Sequence, residues 1–389
     1  MMVLFLKGVC VADKALVNPE VISWARERCG LTPDMLAKKL NTKVARYLSW
    51  EDGVDQPTFK QAQKLANAVH VPFGYFFLPG PPVEELAIPD LRTIGGRAPR
   101  SPSPDLIETV RSVVAKQEWF KDFLIENSAE ELNFIGSFDF REVEPQVVVR
   151  DICSVLEIEN SPDLRKGDND TYLTRLVNAC EDKRILVMRS GIVGTNTRRK
   201  LDVSEFRGFA IADSLAPVIF INSADANSAR LFTLVHELAH LWIGSSGISS
   251  VEPEDQREEA FCNQVAGEFL VPRAEFLNRW DNGSDYLSNF AILSSEFHVS
   301  RLVIARRALQ LDLVSKETYQ NFYRSEVEDF KKQDRGGGDF YRNSKARNSA
   351  LFSRAVIREA LRNKMLLRDA GRLLDISPSK IKDYYSGLS

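Results

Sequence analysis

The sequence predicts a predominantly α chain with a small β-sheet, an α+β fold. Three observations carry that prediction. Apolar residues recur at helical spacing through most of the chain, as at Leu106, Ile107, Val110, Val113 and Val114. Three short apolar runs, 185–190, 207–212 and 217–222, lie close together and read as strands. The stretch after them, Leu231 to Trp242 (LFTLVHELAHLW), is apolar nearly all round, the mark of a buried helix.

A chain of 389 residues is expected to hold two or three domains. Its apolar share of 44% and charged share of 27% are those of an ordinary globular protein. A net charge of −3 excludes a polycation overall. Charge is nevertheless uneven: residues 331–389 hold 14 Lys+Arg against 6 Asp+Glu, a local net of +8. The five cysteines, Cys10, Cys29, Cys153, Cys180 and Cys262, are scattered, odd in number and form no CxxC pair. That argues against a disulfide framework or a cysteine-built zinc site and for a reducing cytosol. Met1 to Val11 is apolar but short and broken by Lys7, unlike a signal peptide. Since no apolar run reaches 18 residues, no membrane helix and no membrane partner are expected, and the expected location is cytoplasmic.

In chain order, residues 1–17 read as an N-terminal arm. Residues 18–79 read as a five-helix helix-turn-helix domain. Val21, Ile22, Trp24 and Ala25 open a first helix that stops at Gly30. Thr32-Pro33-Asp34 is an N-cap followed by proline at the first helical position. Met35, Leu36, Ala37 and Leu40 give that second helix its apolar face. A break at Asn41-Thr42 leads into a third helix, on which Val44, Leu48 and Trp50 are expected to face inward and Lys43, Arg46 and Tyr47 outward. Phe59, Ala62, Leu65, Ala66 and Val69 make a fourth helix, closed by Phe73, Tyr75, Phe76 and Phe77. Residues 80–104 are a proline-rich linker, and residues 79–104 hold 7 of the 17 prolines. Residues 105–184 read as a helical scaffold. Residues 331–389, beyond the break at Gly336-Gly337-Gly338, read as a basic helical C-terminal region with an amphipathic helix Phe352–Leu361. Its charge fits nucleic acid or an acidic protein.

Residues 185–330 hold the chemistry. His236-Glu237-Leu238-Ala239-His240 is an HExxH motif. Residues four apart share a helix face, so His236 and His240 can hold one zinc ion with Glu237 as general base. A catalytic zinc wants a third protein ligand. Glu259, Glu258 and Glu268, on a second helix that ends at Pro272, are the rivals for that place.

These residues resemble the ImmA/IrrE family of zinc metallopeptidases. The family pattern has a strand ending in Asn, here Val218–Asn222, then Arg-x-Phe-Thr before HExxH, here Arg230 to Thr233. A Glu-x-x-Ala-Asn-x-Phe-Ala-x-x-Leu-Leu-x-Pro stretch follows, here Glu259 to Pro272 with Cys262 in place of the first Ala and Val265 in place of Phe. The resemblance spans about 90 residues and implies a zincin-like metallopeptidase domain, one Zn2+ per chain and Glu259 as the third ligand. Residues 18–78 resemble the XRE/Cro class of DNA-binding domains through Leu36-Ala37, Trp50-Glu51-Asp52-Gly53, Pro57-Thr58 and Leu65-Ala66. That implies Lys43, Arg46 and Tyr47 as major-groove contacts. Against it, residues 18–79 carry 8 Lys+Arg and 6 Asp+Glu, net only +2, where a dense basic face is usual for DNA. Within the linker, Ile88-Pro89-Asp90-Leu91-Arg92-Thr93 resembles a Pro-Asp-Phe-Arg-Thr stretch of long family members, with Asp90 and Arg92 as a structural pair.

Two functions from different classes follow. The first is a zinc-dependent site-specific endopeptidase fused to a DNA-binding domain. The resemblance implies a regulator that cleaves a repressor or antitoxin, within a toxin–antitoxin or mobile-element system. The second is a DNA-binding antitoxin or repressor that neutralises a partner toxin, its metal site structural or vestigial. The expected partners are a protein substrate and operator DNA, with a homodimer as the arrangement common to XRE-type domains. His298, at the turn of a helical pair 287–307, is a candidate stabiliser of the transition state, and Tyr286 a weaker one.

Overall fold

A computed structural model describes residues 13–89, 102–158, 164–249, 257–331 and 346–386. Most of the arm at 1–17, the linker from 90 to 101 with its Asp90–Arg92 pair, and the stretch 332–345 with its triple glycine lie outside the described residues. Helices dominate, with one small mixed sheet, as expected of an α+β chain. The chain divides into two compact units, Met1–Leu86 with Arg100–Glu108, and Ala87–Pro99 with Thr109–Ser389.

The first unit is built from α1 (Pro19–Arg28), α2 (Pro33–Leu40), α3 (Val44–Glu51), α4 (Phe59–Ala68) and a 3₁₀ turn, Phe73–Phe77, in place of a fifth α-helix. Each boundary has a local cause. Asn18 and Thr32 accept backbone N–H groups of Glu20 and Met35, and a proline starts each of those helices. Asn41 stops α2 in the left-handed region, φ 53°, which makes the tight turn into α3. Thr58 and Gln61 form a capping box on α4. Ile22, Leu36, Trp50 and Leu65 meet in the core, and each fully buried aliphatic side chain contributes about 1.5–3 kcal/mol. Glu51 accepts from Arg26 Nε at 2.8 Å and from Tyr47 Oη at 2.5 Å.

This network corrects the expected facing of α3. Tyr47 and Trp50 are buried, Val44 is half-buried and Leu48 is exposed. The inward face runs 44–47–50 in steps of three, and the Tyr47–Trp50 edge contact, with centroids 6.1 Å apart, fills it.

In the second unit a four-stranded sheet has the order β1-β5-β4-β6, from β1 (Leu186–Ser190), β4 (Gly208–Ile211), β5 (Val218–Asn222) and β6 (Gly247–Ser249). β1 and β5 run parallel, while β4 pairs antiparallel with both β5 and β6. β6 and a separate hairpin, β2 (Ile192–Val193) with β3 (Asn196–Lys200), go beyond the three strands read from apolar runs. They are short, and β3 is polar, so neither leaves an apolar signal. Helices α5 (Pro104–Glu126), α6 (Pro145–Val155) and α7 (Asn169–Asp182) precede the sheet. Helices α8 (Asn227–Trp242), α9 (Arg257–Leu270), α10 (Arg273–Arg279), α11 (Tyr286–Glu296), α12 (Arg301–Gln310) and α13 (Lys316–Lys331) follow it.

α8 is the centre of this core. Leu231, Leu234, Val235, Leu238, Ala239, Leu241 and Trp242 are all fully buried against α7, α9, β4 and β5. A helix apolar on every side has to be enclosed on every side. Its C-terminal end is pinned by Trp242, whose Nε1 donates to Asp151 at 2.7 Å and whose ring stacks on Phe134. The helix Ala350–Leu361 begins where Glu181 accepts the backbone N–H groups of Ala350 and Leu351, a carboxylate cap supplied from α7.

Candidate metal centre

The spacing of four along α8 brings the His236 and His240 rings together, Nε2 to Nε2 at 3.1 Å. α9 crosses α8 so that Glu259, in its first turn, faces both rings. Glu259 Oε2 lies 3.2 Å from His236 Nε2 and Oε1 lies 3.2 Å from His240 Nε2. All three residues are buried. The small Ala266 and Gly267 of α9 are buried as well, among the residues that pack this helix.

These separations suit one ion. A tetrahedral ion with bonds of about 2.0–2.1 Å holds its donor atoms about 3.3 Å apart. The protein itself leaves the donors unsatisfied: neither Glu259 oxygen has a hydrogen-bond partner of normal geometry among the described residues. Unpaired buried carboxylate oxygens are costly unless something else binds them. His236, His240 and Glu259 are the one such group of potential ligands among the described residues.

The electrostatics point the same way. Burial alone would raise the Glu259 carboxyl, but the His236 and His240 rings, whose Nε2 atoms face its oxygens at 3.2 Å, outweigh it and hold it well below the usual carboxylate range. Burial lowers His236, favouring the neutral ring that binds metal. Burial works against a charged His240 too, yet the surrounding Cys262, Glu258 and Glu259 raise it well above the ordinary histidine value.

The structure separates the three rival carboxylates. Glu258 faces the opposite ring nitrogen of His240, with Oε1 3.5 Å from Nδ1, and accepts a hydrogen bond from Ser245 Oγ. It can orient the imidazole but cannot share its Nε2 ligand point. Glu268 is committed elsewhere, paired with Arg307 and accepting from the Arg273 N–H. Only Glu259 reaches both Nε2 atoms.

Glu237 is buried, with no hydrogen-bond partner of normal geometry for either oxygen among the described residues. Burial pushes it up to about 8, against the lowering influence of the His240 charge and the Ser249 hydroxyl.

Other motif residues hold the scaffold. Asn222 ends β5, donates to the Phe206 carbonyl at 3.1 Å and accepts from Ala224 N–H at 3.0 Å. Arg230 clamps the turn into α8 by donating to the carbonyls of Asp225 and Ser223. Sequence reasoning passed over Gly208, although a glycine inside a strand signals close approach. A Cβ there would stand 2.6 Å from Thr233 Cγ2 and 2.8 Å from Glu237 Oε1. It also passed over Ser249, whose Oγ is 3.5 Å from His240 Nε2.

The remaining candidates divide. His298 sits just past α11 with φ 55°, the left-handed position that ends a helix, and among the described residues no hydrogen bond or ion pair joins it to the triad. Tyr286 is 40% exposed and packs its ring edge-on against Phe290. From the same region it is Arg306, on α12, whose charge reaches His236. In the first unit Lys43 and Arg46 are exposed on α3, whereas Tyr47 is fully buried and donates to Glu51, so its side chain cannot reach a DNA groove.

Comparison with known families places this geometry. Residues 180–309, which contain the whole triad, match the IrrE N-terminal-like domain family, Peptidase_M78. The segment is similar to an IrrE-type, metallopeptidase-like domain. Residues 22–76 match the helix-turn-helix family HTH_3. The chain therefore joins a helix-turn-helix domain to an IrrE-type metallopeptidase-like domain. Residues 348–386 match a further domain of unknown function, DUF8813. No curated protein matches the chain. No described helix is long and apolar enough to cross a membrane.

Proposed function

We propose that the protein is a zinc-dependent, site-specific endopeptidase joined to a DNA-binding domain, a regulator that cleaves a repressor or antitoxin. The observation that carries this reading is the convergence of His236, His240 and Glu259 on one point, with the buried carboxylate of Glu237 next to it on the same helix. His236, His240 and Glu259 would hold the ion, one per chain. Zinc bound there supplies Lewis-acid polarisation of the scissile carbonyl and acidifies a water. Glu237 takes the proton from the attacking water and passes it to the leaving amine. Glu258 holds the His240 ring through Nδ1. Burial of the whole group keeps these charges in a low-dielectric setting, where each interaction is stronger than in water.

The helix-turn-helix domain supports operator binding, with Lys43 and Arg46 as its exposed contacts on α3. Paired half-sites would call for a homodimer.

The test combines the zinc-loaded protein with each regulator encoded beside its gene and follows fragments by mass spectrometry. Cleavage at a single site that disappears in Glu237→Gln is the expected result. Cleavage retained by Glu237→Gln would overturn the assigned role of this residue. Cleavage of none of these proteins, with operator binding intact, would favour a repressor whose metal site is structural.

A further inference from the structure

A second concentration of charge lies away from the metal centre. A cleft of about 510 Å³ opens beside the helix Ala350–Leu361, within the usual range for small-molecule sites of about 300–1,000 Å³. Four arginines line it: Arg354, Arg358 and Arg362 along the helix and at its end, and Arg184 from the turn between α7 and β1. None of the lining residues is acidic. Arg354, Arg358 and Arg362 stand four residues apart on one helix face, where like charges repel. Among the described residues no ion pair joins Arg184, Arg354 or Arg358 to a carboxylate, although the charge of Arg354 reaches Glu181, and Arg362 meets Glu359 only at 4.0 Å. The guanidinium groups are nevertheless held in place. Arg358 lies over the Phe123 ring, 5.2 Å from its centroid. Arg184 Nη2 donates to the Glu130 carbonyl at 2.5 Å, which leaves it further N–H donors. The floor is a packed aromatic cluster of Phe120, Phe123 and Phe352 with Trp119. Phe120 and Phe123 are 1% and 8% exposed, so the floor offers little open surface to an acyl chain. The rim carries Tyr385, 47% exposed, from the short helix Ile381–Ser386.

We infer that this cleft is a binding site for a free nucleotide, its phosphates held by the arginines and its base laid against Tyr385. A guanidinium meets phosphate oxygens through two parallel hydrogen bonds and keeps its charge at every physiological pH, so a convergent set of them reads phosphate. An exposed aromatic ring beside them supplies the flat surface on which a base stacks, and stacking accepts any base. Cations that converge on one small volume suit the packed charge of a single polyphosphate better than charges strung along a nucleic-acid strand or an acidic peptide. The site is separate from the His236–His240–Glu259 triad and does not rest on the peptidase reading. Its walls come from distant parts of the chain. Phe120 and Phe123 of α5 and Arg184 precede the sheet, whereas the other three arginines belong to the helix that Glu181 caps. A bound nucleotide therefore ties that helix to the turn that leads into β1, and it relieves the repulsion along the arginine face.

The experiment titrates the full-length protein by calorimetry with ATP, inorganic triphosphate, adenosine and oleate. The wild type is expected to bind one ATP per chain, triphosphate more weakly, and neither adenosine nor oleate. Arg354 and Arg358 are exposed, so Arg354→Gln and Arg358→Gln keep the fold, which thermal melts check. Each is expected to weaken ATP binding about tenfold or more, the loss of a hydrogen bond between charged partners. Tyr385→Ala is expected to weaken ATP and leave triphosphate unchanged. Arg372→Gln removes an exposed arginine outside the cleft and is expected to leave ATP affinity as it was, which separates a site from general attraction to a basic surface. Absence of saturable ATP binding, equal losses in Arg372→Gln and Arg358→Gln, or binding of oleate in place of ATP would overturn the inference. So would ATP binding that His236→Ala abolishes and Arg358→Gln leaves intact, since that places ATP on the metal centre.

Discussion

Gly208→Ala adds one methyl group at the contact between sheet and catalytic helix. The new Cβ would stand 2.6 Å from Thr233 Cγ2, 2.8 Å from Glu237 Oε1 and 2.8 Å from the Phe220 carbonyl oxygen, where ordinary contact begins at 3.4 Å. The overlap is therefore about 0.6–0.8 Å on three sides at once. Two of the three neighbours cannot retreat. Phe220 O belongs to an interior strand of the sheet, and Thr233 is held to α8 by its hydroxyl, which donates to the Ala229 carbonyl at 3.1 Å. The strain falls on the α8–β4 contact and on Glu237. Overpacking of this kind costs about 1–3 kcal/mol, and the immobile neighbours place this case toward the upper end. The sign is informative, because Gly→Ala at an unstrained position stabilises by about 0.4–1 kcal/mol through the unfolded chain. Denaturant unfolding followed by tryptophan fluorescence should show a lower midpoint for the variant. Turnover should fall on the order of 100-fold, the effect of a general base displaced by roughly 1 Å. An unchanged or higher midpoint would refute the packing argument.

Three further outcomes are expected. Glu258→Ala removes the carboxylate facing His240 Nδ1, and zinc affinity measured by chelator competition should weaken about 10–100-fold. Asp213 is pushed up by burial but pulled further down by Lys121 and by the N–H groups of Ala216 and Leu215, so its folded-state pKa is depressed. A depressed carboxylate adds stability above its unfolded pKa and loses it as pH falls through the folded one. The stability gap between wild type and Asp213→Asn should thus be full above the ordinary aspartate pKa of about 3.9 and shrink as pH falls below it in thermal melts. Tyr47→Phe deletes a buried hydrogen bond to the charged Glu51 and should cost about 1.5–3 kcal/mol without changing DNA affinity, whereas Arg46→Ala should reduce the slope of log affinity against log salt by about 1.

How far the fold was legible varies with the kind of signal. His236, Glu237 and His240 declare themselves because their geometry is local: a helix sets residues four apart on one face whatever surrounds it. The helix boundaries of the first unit are legible for the same reason, since Asn18, Thr32, Asn41 and Thr58 act on their own neighbours. The choice among Glu258, Glu259 and Glu268 is not local. Adjacent carboxylates on α9 point in different directions, and the crossing of α9 over α8 decides which one meets the Nε2 atoms. The resemblance to a known family, rather than periodicity, singled out Glu259. The face of α3 was misread by one position because Tyr47 has a polar tip. Periodicity counts it as a surface residue, while Glu51 and Arg26 give its hydroxyl a place inside. β6 is three residues long and is defined by its partner β4, so no pattern of its own precedes the fold.

The proposed function requires one ion held by three side chains. Zinc content of the purified protein, measured beside His236→Ala, Glu259→Ala and Glu268→Ala, tests it most directly. The prediction is about one zinc per chain in the wild type and in Glu268→Ala, and loss of the metal in the other two. Zinc retained at full stoichiometry by Glu259→Ala, or no stoichiometric metal in the wild type, would contradict it.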